Sequence, residues 1–197
     1  ARRTAQSQSD SPPNEIQRYS HKYHCTMHRI ECQRNRKVII REYLPTDKEA
    51  VMNLIKLNTP DYFAEKEADD LNKYLDKEIE RYYVLLVNGT VIGSGGINFA
   101  ENKTVGKISW DMIHPKFQGK SLGTKLLNHR LEILKTIPGI QRITVRTSQA
   151  AYKFYEKQGF VLHEIKKDYW ADGFDMYSMV YGKVSKYQPI KRFQYLL

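Results

Sequence analysis

The residue types and spacing that best indicate chemistry lie in the segment Asp111 to Leu127, which leads from an apolar strand through a turn into a helix. Gly119 and Gly123 in that turn allow close backbone approach and unusual dihedral angles. The helix that follows would present unpaired N–H groups and the positive end of its dipole to anionic oxygens. The segment therefore predicts a site for a phosphorylated ligand.

Two common phosphate-binding motifs do not fit this turn. A P-loop requires glycine, four residues and then Gly-Lys-Ser or Gly-Lys-Thr, whereas the turn reads Gln118-Gly119-Lys120-Ser121-Leu122-Gly123. A dinucleotide-binding fold requires Gly-x-Gly-x-x-Gly after the first strand of a parallel unit, and Gly119 and Gly123 do not have that spacing. Neither motif accounts for the turn.

The turn instead resembles the (Gln/Arg)-x-x-Gly-x-(Gly/Ala) turn of the GNAT superfamily of N-acetyltransferases, which cradles the pyrophosphate of acetyl-coenzyme A. Ser121 stands where the family usually has glycine, so it must adopt the glycine's backbone conformation at a steric cost, or the loop must differ slightly. The resemblance implies that acetyl-coenzyme A is the cosubstrate, held by the strand end and the turn. The implied cofactor-binding residues are Met112, Ile113, Gln118, Gly119, Lys120, Ser121, Leu122, Gly123 and Thr124.

A second motif lies downstream, in the order that the family has. The segment from Ser148 to Phe160 is similar to the family's later helix, in which Ala-x-x-x-Tyr is followed by Gly-Phe, here Ala151, Tyr155 and Gly159-Phe160. Gly159 fits the left-handed residue that ends a helix. In the family, a tyrosine at this place lies beside the thioester sulfur. The resemblance, which covers residues 37–182, therefore implies that Tyr155 is the general acid, with Tyr152 as the fallback.

The general base is less well defined by the sequence. Transfer from a thioester to an amine needs a deprotonated amine, stabilisation of the oxyanion and a proton for the leaving thiolate. Many family members have a glutamate on the strand before the turn, whereas residues 105–111 contain only one carboxylate, Asp111. Asp111 is interpreted as a catalytic residue that acts through a water, or else as a structural hydrogen-bonding group. Glu101, His114 and the carboxylates of the second helix remain alternatives.

The acceptor is expected between the first two helices and the last hairpin, as the resemblance implies. Acidic residues in these elements would attract a cationic amine or simply be solvated: Glu65, Glu67, Asp69, Asp70, Asp168, Asp172 and Asp175. A small-molecule amine metabolite is the first expectation. Alternatives are a protein N-terminal or lysine acetyltransferase, since residues 167–173 loosely resemble the late hairpin of enzymes that acetylate protein N-termini, and a non-catalytic acyl-coenzyme A-binding protein. A homodimer is left open.

Composition agrees with one domain and argues against two other classes of partner. The chain has 197 residues and a net charge of +10, but eight Lys and Arg fall within residues 1–37 and four within residues 183–197. Basic ends of this kind are usually solvated tails, so nucleic acid is a minor alternative. No apolar run approaches the roughly 20 residues that span a bilayer. The N-terminal residues also lack the apolar stretch of a secretory signal, so no membrane partner and a cytoplasmic location are expected.

Three segments are expected from the chain's organisation. Residues 1–36 read as a basic, polar extension that is partly flexible or helical, residues 37–183 as the acetyltransferase domain, and residues 184–197 as a basic tail. Within the extension, His21, Cys25, His28 and Cys32 would share one helical face. Their spacing matches no zinc pattern closely, so no metal site is expected and a plain surface helix is the simpler interpretation.

The elements that must position these residues follow from hydrophobic periodicity and turn signals. Asn88-Gly89 is a strong hairpin signal between two apolar runs, and a further turn at residues 101–103 extends the hairpin into an antiparallel meander. Thr46-Asp47 is expected to cap the first helix. The second helix is expected over Asp61 to Glu80. Together the elements predict an α/β fold, in which an N-terminal antiparallel meander continues into a central mixed sheet flanked by helices.

Overall fold

Seven strands and four α-helices make up residues 37–182, the part of the chain that the computed structural model describes. The strands are β1 (Val38–Glu42), β2 (Arg81–Val87), β3 (Thr90–Ala100), β4 (Val105–Ile113), β5 (Arg142–Ser148), β6 (Phe160–Ala171) and β7 (Phe174–Tyr181). The helices are α1 (Lys48–Asn58), α2 (Glu67–Lys77), α3 (Leu122–Thr136) and α4 (Tyr152–Lys157). No helix within residues 37–182 is long and apolar enough to cross a membrane.

The strands form one mixed sheet in the order β1-β2-β3-β4-β5-β7-β6. Neighbours are antiparallel except β4 and β5, which are parallel and are joined through α3. Asn88 and Gly89 both have positive φ, 51° and 83°, as the tight turn between β2 and β3 requires. The predicted α/β fold with its antiparallel meander and mixed sheet is confirmed.

The helices cover the two faces of the sheet unequally. Apolar residues of α1 and α2, such as Leu54 and Leu71, pack on the side chains of β2 and β4 that point to one face. Apolar residues of α3 and α4, such as Leu127 and Tyr155, pack on the opposite face across β2 to β7. The two clusters lie on either side of β4, which therefore has a helical layer on each face.

Two helix starts differ from the sequence predictions. Helix α2 begins at Glu67 rather than Asp61, because the Glu67 carboxylate accepts the Ala64 N–H at 2.8 Å and residues 59–66 form turns. Asp47 does not cap α1, because its carboxylate accepts two N–H groups of Arg41 at 2.6 and 2.8 Å and the Leu44 N–H at 2.8 Å. The hydrogen bonds from Arg41 also lower the pKa of Asp47 below its ordinary value.

A bulge and a divergence of strands open the middle of the sheet. Gly96 pairs with Ser109 and Ser94 with Met112, so Gly95 alone faces two residues, Trp110 and Asp111. Trp110 has a φ of +52°, as the extra residue of such a bulge can. The parallel pairing of β4 and β5 ends at Ile108 and Val145, although both strands continue beyond that pair. Beyond it the two strand edges face a cleft rather than each other.

Candidate active site

The cleft between β4 and β5 has a volume of about 1270 Å³ and reaches both faces of the sheet. On the α3 side its lining includes the glycine turn and Tyr155, and on the α2 side it includes Phe63 and Trp110. Ligand pockets usually have volumes of roughly 300–1,000 Å³, so this cleft has room for two substrates that meet in the sheet.

The turn before α3 has the backbone of an anion site. Gly119 has a φ of +70° and Ser121 a φ of +58°, so the serine does adopt the left-handed conformation, which costs about 1–2 kcal/mol in a residue with a side chain. No side chain caps α3, and its first turn contains no acidic residue. The Lys125 N–H donates to the Ser121 carbonyl at 3.1 Å, which leaves the N–H groups of residues 122–124 without helical acceptors. Phosphate oxygens would satisfy these donors and the helix dipole.

Several side chains of the turn hold its shape, which leaves the backbone for a ligand. The Gln118 amide nitrogen donates to Asn58 Oδ1 at 3.0 Å and to the Ile113 carbonyl at 3.1 Å. Lys120 Nζ donates to the Lys116 carbonyl at 2.7 Å. Apart from Lys120, every predicted cofactor-binding residue lines the cleft, although the side chains of Met112 and Leu122 are also buried in the two apolar cores.

Tyr155 and Asp111, which are 44 residues apart in sequence, meet in the cleft. The Tyr155 hydroxyl donates to Asp111 Oδ2 at 2.6 Å. Burial, and then the neighbouring Asp111 carboxylate, raise the pKa of Tyr155 well above its ordinary value. The fallback tyrosine, Tyr152, stacks on Tyr177 with ring centroids 4.6 Å apart and does not line the cleft. The structure therefore joins the predicted acid and the predicted base in one hydrogen bond.

Arg130, which the sequence analysis missed, completes this group from α3. Its side chain is fully buried and forms an ion pair with Asp111 Oδ1. Its other N–H groups donate to the carbonyls of Leu126 at 3.1 Å and Gly96 at 3.2 Å. Burial nevertheless raises the pKa of Asp111, against the opposing effects of Arg130 and of the Tyr155 hydrogen bond. An arginine four residues after Leu126, on the apolar face of the predicted helix, was the available signal.

Two adjacent glycines of β3 make room for polar groups on opposite faces of the sheet. A Cβ atom on Gly95 would lie 2.5 Å from the Arg130 guanidinium and would also overlap Asp111. A Cβ atom on Gly96 would lie 2.6 Å from the Tyr74 hydroxyl oxygen and 2.7 Å from Ser109 Oγ. Consecutive glycines within a strand are a known sign of close approach, and they were visible in the sequence.

The α2 side of the cleft has an aromatic wall made by Phe63, Tyr74 and Trp110. The Phe63 and Trp110 rings stack at 6.3 Å, and the Tyr74 and Trp110 rings are 5.9 Å apart. The Tyr74 hydroxyl donates to Asn98 Oδ1 at 2.8 Å, which fixes its direction. Glu67 lines the same wall, and burial raises the pKa of its carboxyl group above the ordinary value.

Glu101, His114 and the aspartates of the last hairpin do not line the cleft. Glu101 accepts from Arg142 at 2.6 Å, and His114 Nδ1 accepts the Lys116 N–H at 3.1 Å in a short turn. In the last hairpin, Asp168 accepts the Gly173 N–H at 2.7 Å, and Asp175 accepts the Asp168 N–H at 3.0 Å. Of the acidic residues that the sequence suggested for the acceptor side, only Glu67 is among the described residues that line the cleft. Glu78 and Glu80, which were not in that set, also line it.

The cysteine and histidine cluster of residues 21–32 and the basic tail lie outside the described residues. Within residues 37–182, no group of three or more His, Cys, Asp and Glu side chains could hold a metal ion.

The sequence and the fold both have known counterparts. A family model described as the acetyltransferase (GNAT) family matches residues 48–160. A search of curated proteins found no match. Among solved structures, an acetyltransferase of the GNAT family from Desulfovibrio desulfuricans is 19% identical, with a TM-score of 0.62 over 73% of this chain and 98% of that chain.

Two further solved structures have the same fold. An aminoglycoside 6'-N-acetyltransferase complexed with coenzyme A is 16% identical, with a TM-score of 0.60 over 72% of this chain and 95% of that chain. The ribosomal-protein-S18-alanine N-acetyltransferase from Escherichia coli is 20% identical, with a TM-score of 0.60 over 73% of this chain and 92% of that chain. At these identities the likeness shows the fold alone. The family model, however, spans more than half of the chain and includes both the glycine turn and Tyr155, so the chain belongs to the acetyltransferase (GNAT) family.

Proposed function

We propose that this protein transfers an acetyl group from acetyl-coenzyme A directly to a primary amine, with a small amine metabolite as the acceptor. The hydrogen bond between Tyr155 and Asp111, at the point where β4 and β5 separate, carries the proposal. It puts a proton donor and a carboxylate beside a cleft that also reaches the uncapped start of α3.

In this proposal the donor is held mainly by backbone groups. The N–H groups of the turn and of the first residues of α3 bind the pyrophosphate, which is favoured by the helix dipole. The arm of the cofactor lies between the separated edges of β4 and β5, next to Met112 and Ile113. That position brings the thioester to Tyr155, because Tyr155 and Ile113 line the same cleft.

The proton movements balance if Asp111 and Tyr155 act as one unit. The amine nitrogen attacks the thioester carbonyl carbon, the new C–N bond forms and the C–S bond breaks. Asp111 accepts one proton from the amine, directly or through water, and Tyr155 gives its proton to the departing sulfur. The phenolic oxygen then takes the proton from Asp111 across their hydrogen bond, which restores both groups. The raised pKa of each group suits this relay. Asp111 accepts a proton from the amine more readily, and Tyr155 gives up its proton only as it receives the proton from Asp111.

The aromatic wall supports an amine as the acceptor. The faces of Phe63, Tyr74 and Trp110 can attract an ammonium group, and Glu67 adds a carboxylate with no Lys or Arg within ion-pair distance among the described residues. An aminoglycoside and a ribosomal protein are the acceptors named for two of the similar structures, so an acetyltransferase acting on protein N-termini or lysines is the alternative.

The test is a thiol-release assay with acetyl-coenzyme A and a panel of small amines and peptides. We expect Tyr155→Phe to lower kcat about 100-fold or more, the usual contribution of a general acid. Tyr152→Phe is the matched control, because Tyr152 lies on the same helix but outside the cleft, and it should change kcat by less than about threefold. Equal turnover by Tyr155→Phe and the wild type would refute the assigned acid.

The same assay separates an enzyme from a non-catalytic acyl-coenzyme A-binding protein. Both would show a higher melting temperature with acetyl-coenzyme A, because a ligand that binds the folded state stabilises it. Only the enzyme would release thiol when an amine is added. The absence of any thermal shift would contradict the donor site itself.

A further inference from the structure

Arg146 lies in the cleft on the face of the sheet opposite to α3. Its neighbour Val145 is buried in the core that α3 covers, and side chains alternate along a strand, so Arg146 points to the other face. No α-helix among the described residues packs on β5, β7 or β6 at that face, and Arg146 is exposed there. It lines the cleft together with Trp170 and Ser178.

Two aromatic side chains hold the Arg146 guanidinium in place. One of its N–H groups donates to the Tyr169 hydroxyl oxygen at 3.0 Å. Its central carbon lies 5.9 Å from the centre of the Tyr169 ring and 5.5 Å from the centre of the Trp170 ring. The rings themselves meet edge to face at 4.7 Å. A guanidinium has five N–H donors, so most of them are left for another acceptor.

The surrounding charges favour a single anionic group. None of the ion pairs among residues 37–182 includes Arg146. Glu164 lies in the same row of the sheet as Arg146, because both pair with Ser178. A Glu164 carboxylate oxygen is 3.8 Å from Lys166 Nζ, and Arg142 is paired with Glu101 at 2.6 Å. Lys107 also lines the cleft. One oriented arginine beside a partly neutralised glutamate suits a monoanion such as a carboxylate better than a phosphate dianion.

The anion that Arg146 would bind does not belong to the donor. The donor's pyrophosphate site is the start of α3, on the opposite face of the sheet. The face that carries Arg146 is the one with the aromatic wall and Glu67, which we assign to the acceptor. The acceptor end of the cleft therefore has an acidic, aromatic side and a basic side.

We propose that Arg146 binds a carboxylate carried by the acceptor, so that the acceptor is an amine of the amino acid or peptide type. This proposal rests on the proposed function for the amine, but the binding of a carboxylate by Arg146 can be measured without transfer. The guanidinium holds the carboxylate on the basic side of the cleft and directs the amine towards the separation of β4 and β5. An amine that lacks the carboxylate lacks this orientation.

The kinetic test compares acceptors that differ only in the carboxylate, such as lysine with cadaverine and phenylalanine with phenethylamine. We expect the wild type to prefer the carboxylate-bearing member of at least one pair by about 10-fold or more in kcat/KM, a usual effect of a charged hydrogen bond. Arg146→Gln should remove that preference, and Arg146→Lys should restore only part of it. The preference is read as the ratio of the two kcat/KM values within each pair, so that a general loss of activity in a variant cancels.

Lys167→Gln is the matched control. It removes one positive charge from an exposed residue of β6, the strand of Tyr169 and Trp170, and Lys167 neither lines the cleft nor forms an ion pair among the described residues. The preference should survive in this variant. A preference for O-phosphoethanolamine over ethanolamine, no preference in any pair, or an equal loss in Lys167→Gln would overturn the proposal. A weaker affinity of Arg146→Gln for acetyl-coenzyme A would assign Arg146 to the donor and would overturn it as well.

A binding measurement separates failure of this proposal from failure of the proposed function. The Nε–H signal of Arg146 is assigned in a ¹⁵N spectrum by its loss in Arg146→Gln, and phenylalanine or phenethylamine is then added. A shift with phenylalanine alone supports the carboxylate site even if no amine is acetylated. No shift, or the same shift with both compounds, counts against it even if acetyl transfer is found.

Discussion

Three side chains, those of Asp111, Tyr155 and Arg130, form one group, because the Asp111 carboxylate contacts both of the others. Asp111 has one oxygen on the Tyr155 hydroxyl and the other on the Arg130 guanidinium. A buried ion pair of this kind contributes little net stability, but loss of one partner leaves an uncompensated charge. The group therefore serves to position the Asp111 carboxylate and the Tyr155 hydroxyl rather than to add net stability.

The unequal effect of single and double substitutions tests this view. Arg130→Met should lower the free energy of unfolding by about 3–5 kcal/mol, because the Asp111 carboxylate is left without its partner. The double variant Arg130→Met with Asp111→Asn should recover much of that loss. Urea denaturation of the wild type, both single variants and the double variant gives the coupling energy, and simple additivity would contradict the pairing.

The direction of the Asp111 pKa shift sets the expected pH dependence. Burial raises this pKa, so the stability that goes with the protonated form is present below the unfolded value of about 3.9 and is lost as pH rises through the folded value. Activity should have the opposite sign, because the proposed mechanism uses the ionised carboxylate as the base, and kcat/KM should fall as pH drops through the same raised pKa. A pH–rate profile checks this, and Asp111→Asn should lack that acid limb. An acid limb at or below the ordinary carboxyl value would contradict the assignment.

At the scale of elements, the important feature of strand β3 is the absence of a side chain at Gly95. Gly95 lies opposite the bulge in β4 and leaves the space that Asp111 and Arg130 fill. A side chain at position 95 would displace Asp111 and Arg130, or would push β3 away from β4. The bulge and the glycine therefore form a matched pair of features in two neighbouring strands.

Two glycine-to-alanine substitutions test whether the close packing at Gly95, rather than an added methyl group at any glycine, causes destabilisation. Gly95→Ala should destabilise by about 1–3 kcal/mol, as overpacking does, and should reduce thiol release. Gly123→Ala is the control, since its Cβ would meet Phe154 at 3.6 Å and Ile113 at 3.7 Å, which are ordinary contacts. In the first turn of α3 it should stabilise by up to about 1 kcal/mol. Thermal unfolding compares the two variants, and equal destabilisation would contradict the close packing at Gly95. The thiol assay is read for Gly95→Ala alone, because Gly123 lies in the proposed pyrophosphate site.

At the scale of the molecule, the cleft joins the two faces of the sheet. The turn before α3 opens on one face and the wall of Phe63, Tyr74 and Trp110 on the other, so donor and acceptor can be bound together. Because both substrates can be bound at once, the proposal uses direct transfer and no acetyl-enzyme intermediate.

Simultaneous binding has a kinetic consequence. Initial rates measured against acetyl-coenzyme A at several fixed amine concentrations should give intersecting lines in double-reciprocal plots, as expected when a ternary complex forms. Incubation with acetyl-coenzyme A alone should release no stoichiometric burst of thiol. Parallel lines together with such a burst would indicate an acetylated enzyme and would rule out direct transfer.

Features fixed by neighbours in the chain could be predicted from the sequence. The glycine turn, the Tyr155 helix, the Asn88-Gly89 hairpin and the order of helices and strands along the chain all follow from local backbone preferences and from hydrophobic periodicity. The boundaries that failed, such as the start of α2 and the cap at Asp47, failed because a side chain found a different partner, the Ala64 N–H in one case and Arg41 in the other.

The tertiary structure alone decided which of these residues touch. Asp111 reaches Tyr155 across 44 residues only because of the bulge in β4, the absent side chain at Gly95 and the place of Arg130 on α3. Contacts of this kind depend on strand register and on packing between distant segments, for which a linear pattern has no local signal. The sequence by itself therefore determined the family, the fold and the glycine turn. The hydrogen bond between the proposed acid and the proposed base, and the opening of one cleft to both faces, were decided by the packing of the sheet.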